Sequence, residues 1–285
     1  MADQRIIMDY SKKIELILEV GINANGDMDI ARKLIDVAYS SGCDYVKFQK
    51  RDINIVYTQE ELDKERESPW GHTTRQQKEG LEFDWHEYKE IEKYCMGKGI
   101  GWFASAWDLN SFAFLEEFNC PFIKIPSALI TNDALLEEAS KSMKKIIIST
   151  GMSTIEMVDH AVHKIGKGKI YCIMACTSTY PTKAEELNLN QIITLKERYP
   201  WAKIGFSNHS PGLIYMPVAM ALGASMLEWH STLDRSMYGS DQSASIEPEG
   251  VFKLVKYIKN LELAMGDGVK KIYDSEKPIL AKLRR

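Results

Sequence analysis

No apolar run in this 285-residue chain is long enough to cross a bilayer as a helix, which excludes an ordinary helical membrane protein. No basic tract interrupts it either, and a formal charge of −4 makes a nucleic-acid binder a poor fit. The first residues, MADQRIIMDYSKK, lack the apolar stretch of a secretory signal, so a cytoplasmic protein is expected. The cysteines (Cys43, Cys95, Cys120, Cys172 and Cys176) are odd in number and form no CxxC pair. Reduced thiols rather than a disulfide framework follow from that. A glycine-rich GxGxxG turn is missing as well: EVGINANG ends the first apolar run where a dinucleotide-binding fold would carry that fingerprint. With no internal repeat, low-complexity segment or linker, the expectation is one domain over 14–285 behind a short N-terminal extension, 1–13.

The chain does contain material for a large core. Hydrophobic residues make up 45% and charged residues 27%, the balance of an ordinary soluble globular protein. Eight short runs rich in β-branched residues recur: LILEV (16–20), YVKFQ (45–49), GWFAS (101–105), FIKI (122–125), KIIIS (145–149), IYCIMA (170–175), KIGFS (203–207) and SMLEWH (225–230). Their near-continuous hydrophobicity predicts strands buried on both faces, as in a parallel sheet. Helical segments fill the gaps. DMDIARKLIDVAYSSG spaces Ile30, Leu34 and Ala38 one turn apart between a candidate N-cap, Asp27, and a stop, Gly42. Ser153 and Glu156 stand at capping-box spacing, and Ser210 before Pro211 reads as a cap followed by a first-turn proline. Val251, Leu254, Val255, Ile258 and Leu261 form one apolar stripe. Eight alternations of strand and helix predict an α/β fold, a single-domain (β/α)8 TIM barrel.

One interval breaks the rhythm. Between the second and third runs lie the helix DWHEYKEIEKYCMGKG and a long polar insertion containing Trp70, His72, Arg75 and Lys78. Insertions of that length are functional or are solvated excursions, and the sequence leaves both readings open.

In such a barrel the C-terminal strand ends share one face, and that face holds the active site. The eight ends bear Glu19, Lys47 with Gln49, Ser105, Lys124 with Ser127, Ser149, then Thr177, Ser178 and Tyr180, then Ser207, Asn208 and His209, and finally Glu228 with His230. Two lysines and several hydroxyls converging on one mouth make an anion site, for phosphate or carboxylate. Adjacent strands run about 4.8 Å apart, so His209 and His230 at neighbouring ends can meet at one divalent cation with open positions for Lewis-acid work. Glu228, on the same strand face as His230, is placed to orient a metal ligand or water. Glu19 reads equally as a counter-ion for the lysines or as an acid/base. His72, His86, His160 and His163 read as solvated.

These residues sit in motifs. LEVGINANGD, VKFQ, FIKIPS, ISTGMST, TSTYPT, GFSNHSPG and LEWHSTLDRSMYGSDQSASIEPEG resemble, in order, those of the sialic acid (N-acetylneuraminate) synthase family, from about residue 14 to about residue 268. The resemblance implies a transferase of carbohydrate and polysaccharide biosynthesis that condenses phosphoenolpyruvate (PEP) with an aldose, N-acetylmannosamine or a related sugar, giving a nonulosonic acid and phosphate. It implies Mn²⁺ or Mg²⁺ held by His209 and His230. Lys47, Lys124, Ser127, Ser149 and Ser207 would bind PEP, with Ser178 where the family has asparagine. Glu19, Gln49, Tyr180 and Asp241 would face the acceptor sugar, the metal or its water, and Glu19, Gln49, Lys47 and Lys124 would carry the chemistry.

The chain departs from the pattern at Ala24 (histidine in the family), Ala106 (threonine, with Ser105 beside it) and Leu129 (an acidic residue). It is expected to lack the C-terminal antifreeze-like domain that reaches over a partner's barrel in dimeric members. A homo-oligomer or a separate lid protein is therefore a possible partner, with the long insertion as an alternative cover. Two other functions fit the same residues: a metal-dependent aldolase or lyase acting on a 2-keto sugar acid, and a non-catalytic barrel subunit.

Overall fold

The computed structural model describes residues 14–284; the extension expected over 1–13 lies outside them. The eight apolar runs form eight parallel strands: β1 Glu15–Glu19, β2 Tyr45–Lys50, β3 Gly101–Ala106, β4 Phe122–Ile125, β5 Lys145–Ser149, β6 Ile170–Cys176, β7 Lys203–Asn208 and β8 Met226–His230. They close into a barrel in sequence order, with β8 pairing back onto β1. Each boundary falls within one residue of its run, because a strand buried on both faces is apolar for its whole length and stops where polarity begins.

The register decides which side chains share a level. Glu19 is level with His230 on one side and Lys47 on the other. Gln49 is level with Ser105, and Ser105 with Lys124. Cys176 is level with Ser207, and Ser207 with Glu228. Since side chains alternate across a strand, Lys47 and Gln49 share one face, as do Glu228 and His230. Polar residues from separate parts of the chain therefore converge at the C-terminal mouth.

The opposite end is closed. Tyr45, Phe103 and Phe122 meet edge to face with centroids 5.5–5.9 Å apart, and Phe122 lies 4.4 Å from Tyr171. Glu15 accepts from the Tyr171 hydroxyl and from Lys203, each at 2.7 Å.

The helix Met28–Ser41 starts at Asp27, which accepts from the Asp29 and Ile30 amides, and stops at left-handed Gly42. The stripe Val251, Leu254, Val255, Ile258 is buried on the helix Pro248–Met265. Two expected caps do not form. The helix Ile155–Ile165 begins at Thr154, and the Ser153 hydroxyl instead donates to the Gly151 carbonyl, fixing the turn that leaves β5. Ser210 and Pro211 precede a helix that begins only at Tyr215. Ser210 is tied to Asn208 by reciprocal bonds of 2.8 and 3.1 Å, an Asx-type turn that outcompetes a helix cap.

The insertion is folded, with short helices at Ile53–Val56 and Gln59–Leu62, a hairpin (Glu65–Ser68 with Gly71–Thr73) and a helix, Thr74–Leu81. It is fastened to the mouth: Trp70 meets Tyr238 of the loop after β8 edge-on at 5.6 Å. A Cβ on Gly26, whose φ is +62°, would lie 2.0 Å from the Gly80 carbonyl, so the helix rests directly on the loop after β1.

Candidate active site

A cavity of about 250 Å³ opens at the C-terminal mouth. Of the residues expected there, Lys47, Gln49, Lys124, Ser127, Ser149, Ser178, Tyr180, Ser207, His209 and His230 line it. Glu19 lies beneath, fully buried. Asp241 stands to one side, its Oδ2 3.6 Å from His230 Nδ1.

The two lysines already have anionic partners. Lys124 donates to both oxygens of Glu228, at 2.7 and 2.8 Å, although β4 and β8 lie on opposite sides of the barrel. Lys47 lies 2.6 Å from Glu19 and 3.7 Å from Glu228, and donates to Ser105 Oγ at 3.1 Å. Ser207 donates to Glu228 at 3.0 Å. Glu19 stands here as a counter-ion of Lys47. Glu228, expected beside His230, is found paired with the lysines, since charge-assisted hydrogen bonds are the stronger ones. Burial pushes the Glu228 carboxyl up, but Lys124 and Lys47 outweigh it and hold it at about 2. Breaking such a pair from one side costs about 3–5 kcal/mol.

The pairing continues outward. Gln49 donates to Glu19 at 2.7 Å, and its own Oε1 accepts from Arg51. Arg51 also bonds Glu82 at 3.2 Å and stacks 4.5 Å from the Trp107 ring. With both ends of its amide engaged, Gln49 has a fixed orientation.

Across the mouth lies a hydroxyl cradle. Ser127 Oγ accepts from the Gly151 amide at 3.0 Å and lies 3.4 Å from Cys176 Sγ. The Ser149 hydroxyl is buried with no hydrogen-bond partner. A Cβ on Gly151 would come within 2.1 Å of Ser178 Oγ, 2.9 Å of Ser127 Oγ and 3.0 Å of Cys176 Sγ. Only glycine keeps the cradle open, a constraint of backbone proximity invisible in ISTGMST. Met152 beside it takes a left-handed φ of 57°, a conformation uncommon for non-glycine residues. It too lines the cavity.

The imidazoles meet as expected, with His209 and His230 ring centroids 5.4 Å apart. His209 Nδ1–H donates to the Thr177 carbonyl at 2.6 Å, leaving Nε2 to accept from the Tyr180 hydroxyl at 2.9 Å. Burial, and then the neighbouring His230, lower the His209 pKa to about 3, so the ring is neutral with a lone pair turned to the mouth. His230 Nδ1 is buried without a hydrogen-bond partner. Among the described residues no three of His, Cys, Asp or Glu gather into a metal-binding group, so these two rings are the candidate pair. His72 and His160 instead pair with Glu67 and Asp133 on the exterior.

Known proteins share this architecture. A human N-acetylneuraminate-9-phosphate synthase is 36% identical over 92% of this chain and 74% of its own length. An N,N'-diacetyllegionaminic acid synthase of Campylobacter jejuni is 35% identical over 93% of this chain and 81% of its own. The crystal structure of an N-acetylneuraminic acid synthetase from Leptospira borgpetersenii, in complex with citrate, superposes with a TM-score of 0.83 at 28% identity, covering 100% of this chain and 97% of that one. The sequence model of the NeuB family matches residues 34–270, and the chain belongs to that family.

Proposed function

We propose that the protein condenses PEP with an aldose to give a nonulosonic acid and phosphate. The observation that carries this reading is the pairing, in one cavity, of a lysine-backed hydroxyl cradle with two adjoining imidazoles, one of them held neutral. C3 of PEP bonds to the aldehyde carbon, whose oxygen takes a proton. Water adds at C2 and gives up one proton; the bond from C2 to the phosphate oxygen then breaks as the C2 hydroxyl becomes the ketone, its proton leaving with the phosphate.

Each residue has a part. Ser127, Ser178 and the unpartnered Ser149 hydroxyl receive the phosphate, with Lys47 and Lys124 neutralising it as it departs. Glu19 and Glu228 hold the ammonium groups in place before substrate arrives, so little reorganisation is needed on binding. Glu19, fully buried beside Lys47, offsets that ammonium, so positive charge developing at C2 is opposed less than by an unpaired lysine. Gln49, fixed between Glu19 and Arg51, orients water, while Tyr180 and Asp241 face the acceptor.

Charge balance supports a metal. Lys47 and Lys124 are matched by Glu19 and Glu228, so the four ionised groups carry no net charge, whereas PEP is a polyanion. Neutral His209 adds positive charge only by holding a cation, and its lone pair together with the unpartnered His230 nitrogen fits that task. Mn²⁺ or Mg²⁺ held by His209 and His230 would supply Lewis-acid polarisation for the acceptor's aldehyde. Five free, buried thiols suit the reducing cytoplasm as the compartment, and no helix among the described residues is long and apolar enough to cross a membrane.

The test is phosphate release in the presence of Mn²⁺, PEP and a panel of N-acetylated and plain aldoses, with mass analysis of the product. Release that requires both substrates, and a product heavier than the acceptor by one pyruvate unit, is expected. Equal turnover with pyruvate as donor would identify an aldolase instead.

A further inference from the structure

The condensation leaves one buried network at the mouth without a task, and its centre is Asn23. This residue lies in the loop after β1 and is 1% exposed. Its amide nitrogen donates to two acceptors 208 and 222 residues further along the chain, the Ser231 carbonyl at 2.9 Å and Ser245 Oγ at 2.7 Å. Ser245 passes the contact on, donating to the Asp241 carbonyl at 2.6 Å. Both N–H groups of Asn23 are therefore used, while its Oδ1 is buried without a partner. The position calls for a double donor rather than for volume.

These bonds fasten the loop after β8. Backbone pairing secures the ends of that loop: the Ser231 amide donates to the Glu19 carbonyl at 2.9 Å, the Ile246 amide to the His230 carbonyl at 2.9 Å, and the Thr232 amide to the Ile246 carbonyl at 3.2 Å. Asp241 lies between those ends, where side chains take over. Buried Gln242 donates to the Asn23 carbonyl at 3.3 Å and to the Tyr238 carbonyl at 3.2 Å. One N–H of Asn23 grips the residue that follows His230, and the other, through Ser245, grips the peptide of Asp241. Across that span Asp241 Oδ2 stands 3.6 Å from His230 Nδ1, the nitrogen buried without a hydrogen-bond partner. A single buried amide thus sets the separation of a carboxylate and a ring that the chain joins only by a loop.

Resting on the metal assignment proposed above, we infer that Asn23 is a positioning residue for the cation site: bonded on both sides, it keeps Asp241 facing His230 before a cation arrives. Groups that orient metal-binding side chains govern affinity nearly as much as the ligands do. Asn23 joins the ends of β1 and β8, across the barrel from the strands β4 to β6 that carry the hydroxyl cradle, so PEP binding does not depend on it.

The experiment measures Mn²⁺ affinity by electron paramagnetic resonance of the free ion, and PEP affinity by calorimetry at saturating Mn²⁺. The proteins are the wild type, Asn23→Ala, Ser245→Ala and the double variant. Asn23→Ala is expected to weaken Mn²⁺ binding by about ten- to a hundredfold and to leave PEP affinity unchanged. Ser245→Ala removes one hydroxyl and severs only the link to Asp241; a loss of about tenfold is expected. The double variant should bind Mn²⁺ no more weakly than Asn23→Ala, because both residues act through one chain of bonds. Unchanged Mn²⁺ affinity in either single variant, losses that simply add in the double, or equal weakening of Mn²⁺ and PEP, as general loosening of the mouth would give, overturns the assignment. Should Asn23→Ala not fold, Ser245→Ala carries the same test. A wild type that binds no Mn²⁺ would instead overturn the metal assignment itself.

Discussion

The two ends of the barrel are built from similar parts and finished differently. The floor holds Glu15, Lys203 and Tyr171, and the mouth holds Glu19, Glu228, Lys47 and Lys124; both are ion-pair networks spanning several strands. At the floor every charge meets its partner, Lys203 reaching both Glu15 and Tyr171, and aromatic rings seal the interior. At the mouth the charges are matched too, yet the Ser149 hydroxyl and His230 Nδ1 are buried without partners, and a cavity remains. A buried polar group left unsatisfied costs free energy unless something arrives to pair with it. The contrast separates a structural network from a receptive one better than charge content does.

Mutations can break that contrast, the largest effects being expected at the mouth. His209→Ala or His230→Ala should lower kcat by about a thousandfold or more, since Lewis-acid stabilisation accounts for several kcal/mol of barrier. Circular dichroism should show the fold intact. Lys124→Ala should raise the apparent KM for PEP at least tenfold. It should also cost about 3–5 kcal/mol in denaturant titrations by stranding the Glu228 carboxylate. Gly151→Ala should weaken PEP binding by roughly tenfold through steric closure of the cradle, a difference of about 1.4 kcal/mol. At the floor, Lys203→Met should leave kcat/KM unchanged and lower stability by about 1–2 kcal/mol, because its partly exposed ammonium is screened. A floor variant that impairs catalysis as much as a mouth variant does would erase the distinction.

Much of this was legible in the sequence because the informative residues violate local pattern. A lysine within YVKFQ or FIKI is costly in a strand buried on both faces, so Lys47 and Lys124 point to a site before any coordinates exist. Histidines at or just past the ends of two successive apolar runs do the same. Side-chain partners were less legible. Sequence period puts Glu228 and His230 on one face, but only barrel closure brings Lys124 across from the opposite wall to claim the carboxylate. The role of Gly151 depends on three side chains from two other segments. Ser153 and Ser210 carry cap-like spacing, yet their polar groups go to loop geometry at the mouth.

The central claim is that the mouth network, and not the floor network, is a receptor for PEP. Calorimetric titration of PEP into wild type, Lys203→Met and Lys124→Ala, each with Mn²⁺ present, tests it most directly. The account predicts equal affinity for wild type and Lys203→Met and binding at least tenfold weaker for Lys124→Ala. Equal affinity across all three proteins would contradict it.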